Sequence, residues 1–145
     1  MRILKRTILA PMAFIFGIAS ILVNSRFAVA KKLKGFSRNS ECEQSFLFSQ
    51  IFGKHFLQGR IECDEGIAQI LIDIPCVGIY ENAPRNLEYM LLNNQVKYRL
   101  IASEIGWDFL EIALPAESNS LLELLSEIIV ALGIPKHAIF RMVFL

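Results

Sequence analysis

The stretch from Val96 to Leu114 reads VKYRLIAS, EIG, WDFLEIAL: two runs of β-branched, aromatic and aliphatic residues around a short segment with one glycine. That pattern predicts a β-hairpin, and side-chain alternation fixes its register. Val96, Tyr98, Leu100 and Ala102 share one face, as do Leu110, Ile112 and Leu114. A three-residue loop, Glu104-Ile105-Gly106, sets these faces together, pairing Tyr98 with Ile112 and Leu100 with Leu110. A two-residue loop would set the same face against Phe109, Glu111 and Ala113, so the longer loop is preferred. Gly106 then takes the left-handed position that such loops require. The opposite face carries Arg99 against Glu111 and Ile101 against Phe109.

Charge is divided unevenly along the 145 residues. Met1 to Ser40 holds eight Lys/Arg and no acid, whereas Glu41 to Leu145 holds seven Lys/Arg against all 14 acids, a net charge near −7. A folded part this acidic repels phosphate backbones, and no basic stripe offsets it, so nucleic acid is excluded as a partner. At 54% hydrophobic the chain is too apolar to be disordered.

Arg2, Lys5 and Arg6 precede an apolar run from Ile8 to Val23, and Ala28-Val29-Ala30 follows. A charged start, an apolar stretch and a small-x-small site are the layout of a secretory signal. Residues 1–30 are therefore expected to be a signal peptide cleaved after Ala30, giving an exported protein, periplasmic or secreted. As a helix the run would span about 24 Å, short of the roughly 30 Å hydrocarbon core. Arg26, Lys31, Lys32, Lys34 and Arg38 make the far flank the more basic, which favours the alternative of a membrane anchor with the domain cytoplasmic. The lack of acids over 40 residues also suits an organelle presequence, although the apolar run is too continuous for an amphipathic one. Residues 31–40 read as a solvated basic linker that can touch anionic lipid if the segment stays at a membrane.

Residues 41–145 read as a single α+β domain. Ser40 and Glu43 form a capping-box pattern before Leu47, Phe48, Ile51 and Phe52, which predicts a helix from about Glu41 to Phe52, with Gly53 as its stop. A second hairpin follows, in which a two-residue loop at Glu65-Gly66 pairs Cys63 with Ala68 and Ile61 with Ile70. Pro75 interrupts that ladder, and Val77 to Tyr80 is expected to resume as a short edge strand. Asn82-Ala83-Pro84 opens a helix ending at Asn93-Asn94. Ser120 and Glu123 cap a leucine-rich helix from Leu121 to Leu132, with Gly133 and Pro135 beyond it. Ala138 to Leu145, apolar on both faces except Arg141, is either an inner strand or an exposed one that pairs with another subunit. The expected fold is an antiparallel sheet of two hairpins plus a C-terminal strand, packed by three helices, in the order α-β-β-(β)-α-β-β-α-β.

No constellation in the sequence carries catalysis. His55 and His137 have no Cys, His or carboxylate at metal-ligand spacing, so no metal or cofactor is expected. Glu62, Asp64 and Glu65 lack the calcium-loop pattern and read as a solvated hairpin tip. Cys76 with a distant histidine lacks the context of a nucleophile pair. The simplest reading of Cys42, Cys63 and Cys76 is three buried thiols. A Cys63–Cys76 bridge is excluded, because the hairpin holds the two roughly 26 Å apart, while Cys42 remains able to pair with either.

The helix ending LEYMLLNNQ, the hairpin VKYRLIASEIGWDFLEIALPAE and the helix SLLELLSEIIVALG follow in an order that resembles the YbjN and type III secretion chaperone-like fold, over about Glu41 to Gly133. That resemblance implies a small dimer that binds peptides or partner proteins without catalysis, and it carries over no functional residue. The N-terminal segment and the strand after Gly133 depart from the pattern. The expected function is thus a non-catalytic, chaperone-like domain that binds a protein or peptide, or a second copy of itself. Trp107, Phe109, Ile101, Phe140 and Phe144 are its expected partner surface. The alternative is a small-molecule or lipid-binding domain that uses the aromatic first helix over the sheet.

Overall fold

Two glycines with left-handed backbones set the sheet registers. Gly66 (φ 82°) follows Glu65 (φ 50°) in one hairpin, and Gly106 (φ 87°) closes the other. A side chain adopts such angles only with strain, which glycine avoids.

The structure, a computed structural model, describes residues 21–23, 25–39 and 42–144. In chain order its elements are β1 (Ile21–Val23), α1 (Arg26–Asn39), β2 (Ser45–Gln50), β3 (Phe56–Asp64), β4 (Ile67–Pro75), α2 (Ala83–Asn93), β5 (Lys97–Ala102), β6 (Asp108–Pro115), α3 (Leu121–Ala131) and β7 (Phe140–Phe144). The described strands form one antiparallel sheet, ordered β1-β7-β2-β3-β4-β6-β5. With three helices packed on it, the fold is α+β. Both hairpins pair as the alternation predicts: Cys63 with Ala68 and Ile61 with Ile70, then Tyr98 with Ile112, Arg99 with Glu111 and Leu100 with Leu110.

The helical face of the sheet carries the core. Phe46 and Phe48 of β2, Ile61 of β3, Ile70 and Ile72 of β4, Ile112 of β6 and Met142 of β7 are buried there with Leu33, Leu87, Leu125 and Ile128 from the helices. Gly59 of β3 pairs with both Phe46 and Ile72. A Cβ at Gly59 would fall on the Leu71 carbonyl oxygen and the Phe46 ring, so only glycine lets the strands and that ring approach so closely.

The expected helix from Glu41 to Phe52 is instead the inner strand β2, between β7 and β3. Phe46 and Phe48 face the helices and Leu47 the other side, yet all three are buried. A strand buried on both faces shows a continuous apolar run rather than alternation, and with Ile51 and Phe52 that run imitates a helical stripe. Glu43 lies in a turn with φ 67°, so it starts no helix, and Ser40 lies outside the described residues.

The first helix lies earlier, as α1, across the expected cleavage site and basic linker. Val29, Ala30, Leu33 and Phe36 recur at helical spacing and are buried against the sheet. The Ser25 hydroxyl accepts a hydrogen bond from the Ala28 N–H at 3.1 Å and caps the first turn. Five cations along the same stretch disguised that stripe. The apolar run read as a leader ends in β1, which pairs with β7; the part before Ile21 lies outside the described residues. Among the described residues no helix is long and apolar enough to cross a membrane.

Val77 to Tyr80 forms a 3₁₀ turn (Gly78–Tyr80) rather than a strand, because Gly78 (φ 61°) swings the chain off the sheet. That turn buries Tyr80. Its hydroxyl donates to the Phe56 carbonyl oxygen at 2.8 Å and accepts from the Phe56 N–H at 3.0 Å, pinning the start of β3. The Ser120 side chain makes no cap bond to α3; the Ser118 hydroxyl accepts from the Ser120 N–H at 3.3 Å instead.

Burial pushes the Tyr80 phenol from 10 up to about 12. A group whose folded pKa lies above its unfolded one contributes stability that is whole below pH 10 and is lost as pH rises to 12. Two pKa units correspond to about 2.7 kcal/mol. Wild type is therefore expected to lose about 2–3 kcal/mol more than Tyr80→Phe between pH 10 and 12 in urea melts. Parallel curves for the two proteins would remove the tyrosine from this role.

Candidate functional site

β5 lies at one end of the sheet with β6 on one side and no described strand on the other. The Ser103 N–H donates to the Trp107 carbonyl oxygen at 3.0 Å, so Ser103 and Trp107 form a hydrogen-bonded pair. Antiparallel ladders alternate, so Arg99 and Ile101 direct their backbone groups to β6, while Tyr98, Leu100 and Ala102 direct theirs outward. An outward row of N–H and C=O groups is a template for another strand.

The side chains beside this edge differ by face. Tyr98 and Leu100, paired with Ile112 and Leu110, lie on the helical face, but β5 overhangs the helices. Tyr98 remains 38% and Leu100 57% exposed. Ile105 and Trp107 at the hairpin tip, and Tyr89 and Leu92 in α2, add further exposed apolar surface. The opposite face carries Ile101 against Phe109 near the hairpin tip and a polar cluster beyond it. Arg99 Nε lies 2.9 Å from Glu111 Oε1, and Arg60 Nη2 lies 3.6 Å from Glu111 Oε2. Arg60 also reaches Asp73 and Glu62, each at 3.2 Å. A groove of about 240 Å³ runs along this face between Glu62, Leu71, Lys97, Arg99 and Glu111.

The five residues expected to form a partner surface do not come together. Trp107 is exposed at the tip of the β5–β6 hairpin, and Ile101 is half-buried on β5. Phe109, opposite Ile101 and paired also with Pro75, is buried on the inner strand β6. Phe140 is buried in the core, because β7 is an inner strand between β1 and β2. Phe144 is half-buried, its ring stacked on Phe36 at 4.7 Å. Tyr98 and Leu100 went unrecognised because their alternation is that of a core-facing strand. Only the place of β5 at the end of the strand order exposes them. The small-molecule alternative rested on an aromatic helix over the sheet, and that segment is β2.

The groups considered for chemistry are dispersed. Cys42 and Cys63 form a disulfide, with Cα atoms 5.5 Å apart. This corrects the reading of three free thiols and selects one of the two pairings left open. Cys76 is half-buried, and burial pushes its thiol up, which disfavours the nucleophilic thiolate. His55 lies 3.3 Å from the Tyr80 hydroxyl, and burial holds its pKa below the usual histidine value. His137 lies on the loop before β7, beside Lys136. Glu62 sits on the sheet face against Arg60 rather than at the hairpin tip. Among the described residues no three His, Cys, Asp or Glu gather as a metal-binding group.

No family model, curated protein or solved structure matches this chain.

Proposed function

We propose that this protein is a non-catalytic, chaperone-like binding domain, exported or membrane-anchored, which captures an extended peptide or a second copy of itself by adding a strand to β5. The observation that carries this reading is the outward backbone of Tyr98, Leu100 and Ala102, flanked by exposed apolar side chains. Strand addition draws affinity from main-chain hydrogen bonds and specificity from alternate side chains. An added strand would meet Tyr98 and Leu100 on one face and Lys97 and Arg99 on the other. The favoured partner therefore alternates apolar and acidic residues. The resemblance to the YbjN and type III secretion chaperone-like fold agrees with a peptide-binding dimer. The Cys42–Cys63 bridge supports export, since disulfides persist in oxidising compartments.

Leu100→Pro tests the edge itself. Proline removes the outward N–H of Leu100 and leaves the β6 ladder bonds of Arg99 and Ile101 intact. Wild type is expected to dimerise in size-exclusion chromatography with light scattering, or to capture members of an array of alternating apolar/acidic decapeptides. Leu100→Pro, with its fold checked by circular dichroism, is expected to weaken that association at least tenfold. A wild type that stays monomeric at high concentration and binds no peptide in an edge-dependent way would overturn the proposal.

A further inference from the structure

We infer that the protein rests on an anionic phospholipid surface through one folded face, built from the outer side of α1 and the loop between α3 and β7. This is independent of strand addition at β5, which uses none of these residues.

The observations converge on one place. A groove of about 380 Å³ opens where Arg26 and Phe27 of α1 meet Ser126 and Val130 of α3 and Lys136 and His137 of the following loop. Its walls are almost wholly apolar. Phe27 is 51% and Val130 50% exposed, although both sit on helices that otherwise bury their large apolar residues. Cations surround these two side chains. Lys31 Nζ lies 5.0 Å from the centre of the Phe27 ring, Lys32 is exposed on α1, and Lys136 is exposed on the loop. The Arg26 N–H donates to the Lys136 carbonyl oxygen at 3.3 Å, so the loop is tied to the helix start and the two groups of cations form one surface. Counting Lys34, five cations outweigh the two acids of α3, Glu123 and Glu127.

Exposed apolar side chains set among lysines and arginines match a lipid interface. The apolar groups enter the headgroup boundary while the cations meet anionic phosphates. Charge complementarity selects this occupant over a soluble protein surface of mixed charge. The rest of the domain is acidic, so the charge asymmetry also orients the molecule with this face towards negative lipid.

The test uses the full chain with vesicles of phosphatidylcholine alone and of phosphatidylcholine with 30% phosphatidylglycerol. An environment-sensitive fluorophore is attached to Val130→Cys or, as a control, to Ile105→Cys, both in a Cys76→Ser background. On the anionic vesicles the label at 130 is expected to brighten and shift to the blue, and the label at 105 to stay as in buffer. Replacing Lys31, Lys34 and Lys136 by Gln is expected to lower affinity for the anionic vesicles about 100-fold, at roughly 1 kcal/mol for each cation near the surface. These lysines are exposed or half-exposed, and an unchanged thermal melt confirms the fold. Protein that binds vesicles without any change at position 130 would overturn the inference, because the N-terminal segment alone would then hold it. Equal affinity for the two vesicle types would also overturn it, and so would undiminished binding of the triple variant.

Discussion

A chain that begins at Lys31, as cleavage after Ala30 would leave it, is expected to lose a large part of its cooperative stability relative to one that begins at Ile21. The difference between the two removes β1, the Ser25 cap and the first turn of α1. Val23, Val29 and Ala30 go with them, each almost wholly buried. Each buried valine contributes about 1.5–3 kcal/mol, and the loss of the β1 ladder exposes the edge of β7, so about 4–6 kcal/mol is removed. A domain of this kind holds about 5–15 kcal/mol in total. The shorter chain should melt at least about 10 °C below the longer one, or show no cooperative transition by circular dichroism. Equal melting temperatures would mean that α1 folds without its first turn and that β1 is dispensable. A loss this large would mean that β1 and the start of α1, with Val23, Val29 and Ala30 buried, belong to the folded domain.

The elements legible from sequence were those that bury one face and solvate the other. In the β5–β6 hairpin, alternation, Gly106 and the charge pair Arg99–Glu111 each specify the same register, and the structure has that register. The same holds for β3–β4, where a one-residue slip would bring Gln69 and Asp73 onto the face of Ile61. Leu121 to Leu132 was legible as a helix because its leucines recur at helical spacing and Gly133 (φ 77°) stops it. Legibility failed where long-range pairing decides burial. Phe46-Leu47-Phe48 lost its alternation because the helices cover Phe46 and Phe48 on one face while Val143 of β7 and Phe56 of β3 pack with Leu47 on the other. Leu100 and Ile112 carry the same local pattern, yet one is exposed and the other buried, because β5 ends the sheet and β6 does not. The candidate site depends on strand order, which no local window contains. The basic stretch of α1 misled for a further reason. Its apolar residues were read as a cleavage signal, and the lysines between them were read as a linker rather than as the outer face of a helix.

Opening the Cys42–Cys63 bridge is expected to cost about 3 kcal/mol. The two cysteines are separated by 21 residues, a span that contains β2 and most of β3. In the chain-entropy account, a closed loop of this length restricts the unfolded state by about that amount. The bridge also ties the turn after α1 to the end of β3, on a sheet whose strands come from distant parts of the sequence. Cys42→Ser should therefore lower the urea midpoint at unchanged slope, and a reductant should shift wild type to match it while leaving the variant where it is. Thiol titration of the unfolded, unreduced protein should find one reactive group, Cys76. A count of three, with no effect of reductant on the midpoint, would show that the pair stays reduced in the cell and would remove the support that the bridge gives to export.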